Sequence, residues 1–167
     1  MKQTLKYIYG IVYEDMKFAE AKHNIVLTLA GAVIAFSTTF FSVDKMQNLF
    51  AIASIIFALI AILYSFVALI SRNVKAKKRK TKETDNLVSY KDIMHYDEKS
   101  FIDAIKRRYT FVNIYKPDQM DFDLAKEIIT TSKLSNLKFL YFNFAVLFLI
   151  ASIICLIVTV LIKGQIL

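Results

Sequence analysis

Residues Asp121 to Ile162 read DFDLAKEIITTSKLSNLKFLYFNFAVLFLIASIICLIVTVLI, and this stretch decides the fold. It opens as a polar, amphipathic segment and ends as an apolar run from Phe139 to Ile162 that carries no charge. Neither Gly nor Pro interrupts it. Read as one helix of about 42 residues, it would be roughly 60 Å long at 1.5 Å per residue. A bilayer core is only about 30 Å thick. The first half would therefore stand in water and the second half in lipid, and a tilt of the wet half would be carried into the dry half.

Working outward, two more apolar runs appear, Ile25–Phe41 and Leu49–Ile70. A span needs about 17–25 residues, which the later runs reach outright and the first reaches near its lower limit. A soluble core rarely needs such runs. The fold class expected is an all-α integral membrane protein with three transmembrane helices and a small helical cytosolic region, the last helix running continuously from cytosol into membrane. The segments expected are a cytosolic amphipathic helix over 1–24, a transmembrane hairpin over 25–70, a basic cytosolic insert over 71–138 and a third span over 139–162. A cleaved signal peptide is disfavoured, because the residues ahead of the first run include Glu14, Asp15 and Glu20 and are too many for a signal n-region.

Small residues mark the spans. Thr28, Gly31, Ala32, Ala35, Thr38, Thr39 and Ser42 recur through the first. Ala51, Ser54, Ala58, Ala61, Ser65 and Ala68 follow alternating steps of three and four through the second. In lipid such faces allow close helix approach, so the two spans are expected to pack as a hairpin around the short Val43–Asn48 turn. The same faces could instead line a pore between subunits; Thr28, Ala35 and Thr38 are the residues placed there. Asn143, one turn inside the third span, suits an interhelical hydrogen bond or a pore mouth.

The net charge of +8 is unevenly spread. Arg72–Lys138 holds 16 Lys/Arg against 10 Asp/Glu, and seven of those basic residues fall within Arg72–Lys82, directly against the second span. The positive-inside rule makes this loop cytoplasmic, and with it the N-terminus. Ahead of the first span, Leu5, Ile8, Tyr9, Val12, Met16 and Ala19 make one apolar stripe, as for a helix packing on the cytosolic helices. Asp97 can cap a helix whose Phe101, Ile102, Ile105 and Tyr109 share a face, and Asp118 or Asp121 can cap the long helix after Pro117. The insert is small for an independent core, so association between copies is expected.

Catalytic and metal signatures are lacking. The glycines are Gly10, Gly31 and Gly164, too scattered for a phosphate-binding loop. His23 and His95 stand far apart, and the lone Cys155 lies within a span, where a thiol packs as a small residue. No catalytic residues, no metal site, no cofactor and no enzyme are expected.

Phe18-Ala19-Glu20-Ala21-Lys22-His23-Asn24, leading into the first span, resembles the "A-x-x-K-x-x" lead-in of the small transmembrane effectors of bacterial Pycsar and related antiphage operons, the CBASS-like and Hailong-like systems among them. Asp123-Leu124-Ala125-Lys126-Glu127-Ile128, followed by Leu134-Ser135-Asn136-Leu137-Lys138, resembles the second signature of that family, and the order of spans and insert is similar too. The resemblance implies an antiphage effector of the bacterial inner membrane that acts as a nucleotide-gated oligomeric pore, expected as a homo-oligomer with a tetramer as its form. The signal would be a cyclic nucleotide or an oligonucleotide from a partner nucleotidyltransferase or cyclase. Lys106, Arg107, Arg108, Lys22, Lys133 and Lys138 could meet its phosphates on the cytosolic side, with Tyr109 or Tyr115 stacking on a base. Solvated charges and snorkelling side chains are the plainer account of the same residues. A membrane anchor that recruits a cytosolic partner through the basic insert is the alternative function.

Overall fold

A computed structural model describes residues 1–41, 45–70, 80–109 and 115–166. They form α1 (Lys2–Thr38), α2 (Lys45–Ile70), α3 (Tyr90–Ile93), α4 (Glu98–Arg108) and α5 (Gln119–Ile166), with no strand among the described residues. Three helices, α1, α2 and α5, are long and apolar enough to cross a membrane. The last is 48 residues without a break, about 72 Å of helix. The N-terminal amphipathic segment and the first span are likewise one helix, as the absence of any breaker between them requires. The Val43-Asp44 part of the turn and the Arg72–Arg79 part of the basic run lie outside the described residues.

The chain divides into two compact units, one of Met1–Ala19 with Ser71–Phe139, the other of Glu20–Ile70 with Leu140–Leu167. In the first, the predicted stripe of α1 is buried at Leu5, Ile8 and Val12. It packs in one cluster with Ile93 of α3, Phe101, Ile102 and Ile105 of α4, and Ala125, Ile128 and Ile129 of α5. Each large apolar side chain so buried contributes about 1.5–3 kcal/mol. The insert thus gains the start of α1 as part of its core. Tyr109 departs from the expected face: it is the residue that ends α4 and is exposed.

Local signals fix the helix ends in this unit. Asp97 and Ser100 form a capping box at the start of α4. Asp118, just ahead of α5, accepts from the backbone N–H of Asp121 at 3.1 Å, and Asp121 Oδ2 accepts from that of Asp118 at 3.0 Å. Both carboxylates therefore serve the positive end of the helix. Asp121 Oδ2 also accepts from the Tyr115 hydroxyl at 2.8 Å, which fixes the position of that ring beside the start of α5. Asp118 Oδ2 pairs with Lys2 at 2.6 Å.

In the second unit the heptad-like stripe of α2 is buried along its whole length: Ala51, Ser54, Ala58, Ala61, Ser65 and Ala68 are all at 0% exposure. Ala58 and Ala61 pack with Val26 and Ala30 of α1 and with Ala145 and Leu149 of α5. Hydroxyls tie the same helices together. Ser54 Oγ lies 3.0 Å from Ser37 Oγ of α1 and donates to the carbonyl of Ser152 on α5 at 2.9 Å. Ser152 Oγ returns the bond to the carbonyl of Ser54 at 2.6 Å. The small-residue stripe of α1 behaves differently. Its buried line is His23, Val26, Ala30 and Ser37, whereas Thr28, Gly31, Ala32, Ala35, Thr38 and Thr39 are exposed. A Cβ on Gly31 would meet nothing within 4 Å. The expectation that this face packs the hairpin is therefore corrected: small residues recur on two sides of α1, and the branched Val26 with Ala30 and Ser37 takes the inner side.

Candidate functional site

The last turn of α4 carries Lys106, Arg107 and Arg108, cations placed where the helix dipole favours them. The Thr81–Leu87 segment faces this helix. Arg108 Nη1 donates to the carbonyl of Asp85 at 2.8 Å, and Nη2 donates to that of Glu83. The segment is also held from within, since Asp85 Oδ2 accepts from the backbone N–H of Lys82 at 2.9 Å. The Tyr96 hydroxyl lies 3.4 Å from the carbonyl of Lys82. Burial, reinforced by the neighbouring Asp85 carboxyl, pushes that phenol above its usual range, so it stays protonated and a donor.

Between segment and helix is a cavity of about 360 Å³ lined by Thr81, Lys82, Glu83 and Leu87 on one side. Ser100, Ala104, Arg107 and Arg108 of α4 form the other side, with Tyr96 at the base of the segment. Ser100 and Ala104 are short, which leaves the space. Lys82, Arg107 and Arg108 outnumber the carboxylate of Glu83, so the lining is cationic. The volume lies within the range of small-molecule sites, and a cationic lining suits a phosphorylated ligand.

The basic residues singled out from sequence are scattered. Arg107 and Arg108 line the cavity; Lys106 is half-buried beside it and Tyr109 is exposed at the helix end, and neither lines it. Lys133 is half-buried and Lys138 nearly fully buried on α5. Lys22, in the other unit, stands over the ring of Phe142 at 5.1 Å. Ser100, Tyr96 and Lys82, the last known from sequence only as the end of the basic run, complete the lining. The step of four from Ser100 to Ala104 to Arg108 was a readable signal for one face of α4, whereas nothing in the sequence marked Tyr96 or the folding back of Lys82.

In the second unit, Thr28, Ala35, Thr38 and Asn143 are exposed on α1 and α5. Thr28 donates to the carbonyl of Asn24 at 3.0 Å and Thr38 to that of Ala35 at 2.7 Å, so these hydroxyls are satisfied within their own helix. Rings also cluster in this unit: Tyr64 stacks on Phe144 and Phe148 at 5.6 Å each, and His23 meets Phe142 edge-on at 5.8 Å. Among the described residues no three His, Cys, Asp or Glu side chains gather as a metal site would require.

No curated protein and no solved structure matches the chain. The model of the Pycsar effector protein domain, PycTM, matches residues 4–163. Its match runs from the start of α1 through all three candidate spans, and the chain accordingly belongs to the Pycsar effector family, the antiphage membrane effectors.

Proposed function

We propose that the chain is a nucleotide-gated effector that assembles as a homo-oligomer, a tetramer in the simplest form, and opens the bacterial inner membrane on infection. In this reading 1–24 and 71–138 are cytosolic, 25–70 and 139–162 lie in lipid, and a cyclic nucleotide made by a partner cyclase acts on the cytosolic unit. The observation that carries it is the family match over residues 4–163, supported by the cationic cavity in the first unit. Because α1 and α5 each supply residues to both units, a ligand that prefers one arrangement of the cytosolic helices biases the spans through them. Without such a preference nothing shifts. Thr28, Ala35, Thr38 and Asn143 face the pore between subunits.

Ion flux from liposomes containing the purified protein, with and without cyclic mononucleotides, tests the reading. Ligand-dependent flux is the expected result. Flux that ignores every nucleotide, or no flux at all, would overturn it. A stable cytosolic partner on purification, with no conductance, is the outcome that the anchor reading demands.

A further inference from the structure

The basic triplet at the end of α4 does not act as one unit. We infer that Lys82 and Arg107 hold the anionic group of the ligand, that Arg108 is a positioning residue that builds the cavity, and that Lys106 takes no part. This deepens the proposed function and rests on its reading of the first unit as the signal receiver.

The argument starts from what each cation already does. Both terminal nitrogens of Arg108 donate to backbone carbonyls, those of Asp85 and Glu83. A guanidinium carries its donors in a fixed planar fork, and this fork is committed to the segment. It therefore fastens the Thr81–Leu87 segment to α4 and forms one wall of the cavity. Arg107 differs: it is exposed, its Nε makes a long bond of 3.4 Å to the carbonyl of Asp103, and its side chain borders the same cavity. Lys82 is exposed on the opposite wall, carried there by the segment that Arg108 fastens. Ser100 lies one helical turn below Ala104 in the same lining, but its hydroxyl is committed to Asp97 in the capping box, so the two cations carry the contact.

A ligand of about 360 Å³ with one phosphate would thus meet Lys82 from one side and Arg107 from the other. The carboxylate of Glu83 in the same lining repels a second phosphate and can accept from a sugar hydroxyl or a base amino group. The chemistry that fits is a singly charged phosphodiester bearing donors, rather than a polyphosphate.

The test uses the full chain in detergent or nanodiscs, with cyclic mononucleotides carrying each common base as probes and ATP as the polyphosphate control. Calorimetric binding and hydrogen exchange of the 80–89 backbone are read separately. Losing one charge-assisted contact should weaken binding about tenfold or more. That loss is expected for Lys82→Glu and Arg107→Glu, with exchange of the free protein unchanged. Lys106→Glu should bind as the parent does. Arg108→Gln should weaken binding and also speed exchange of the segment before any ligand is added. Arg108→Lys, which keeps the charge but not the fork, should speed it too.

Unaltered binding by both Glu variants, or no binding of any cyclic mononucleotide to the parent, overturns the ligand site. Parent-like exchange in Arg108→Gln overturns the positioning role. Binding is read here and flux in the previous test, so a site that binds without flux sinks the gating reading and leaves this assignment standing.

Discussion

Replacing Ser54 is the sharpest probe of how the spans hold together. Its hydroxyl is fully buried, 3.0 Å from Ser37 Oγ, and donates to the Ser152 carbonyl at 2.9 Å. A single interhelical hydrogen bond in a membrane protein averages about 0.6 kcal/mol and reaches about 1.7 at most. Ser54→Ala removes links to both neighbouring helices, so a loss of about 1–1.5 kcal/mol is expected. Ser152→Ala should cost about 0.6 kcal/mol, because its main bond runs to the Ser54 carbonyl, which the first substitution leaves in place. The two losses should then nearly add, since only the Oγ–Oγ approach of 3.2 Å is shared. Ser54→Leu brings in a large side chain where Ala51 and Ala58, one turn away on either side, have no free surface, and overpacking of that kind costs about 1–3 kcal/mol more. Reversible unfolding in mixed micelles reads all of these. Ile56→Leu, at a half-exposed position on the same helix, is the control and should change little. Parent-like stability of Ser54→Ala would refute the buried hydroxyl clasp, and parent-like stability of Ser54→Leu would refute the tight packing around it.

Other outcomes are equally concrete. The hydrogen bond from Lys2 holds the Asp118 carboxyl below its usual range. Its contribution is present above the unfolded value near 3.8 and is lost as pH falls through the lower folded value; Asp118→Asn should flatten that acid limb in a thermal melt followed against pH. Phe101→Ala empties the centre of the first unit's core and should cost about 3–5 kcal/mol, seen as faster proteolysis of the insert with membrane insertion intact. In a Cys155→Ser background, Ala35→Cys and Thr38→Cys should let a charged thiol reagent block ligand-induced flux, while cysteine at the buried Ala58 should not react.

The legible parts of the fold were those where one physical constraint acts alone. The absence of Gly and Pro from Asp121 to Ile162 was enough to foretell the unbroken α5. The stripe of α2 was legible because all its small residues but Ala53 fall on one line, and that line is buried. On α1 the small residues occupy more than one side, and periodicity cannot say which side a neighbour will choose; the structure gives Ala30 and Ser37 to the interior and leaves Gly31 and Ala35 outside. The cavity was half legible. Arg107 and Arg108 announce themselves as charge, but Lys82 and Tyr96 join them through a return of the chain that no local pattern encodes. For the same reason Lys106, Arg107 and Arg108 looked equivalent as letters and are not equivalent as side chains.

The ring stack of the second unit has a practical consequence. Phe148 lies against Tyr64 on α2 at 5.6 Å and against Phe57 at 6.3 Å. The chain contains no tryptophan. An indole substituted for Phe148 would be the sole one in the molecule, and its emission colour would register, as it happens, any parting of α2 from α5.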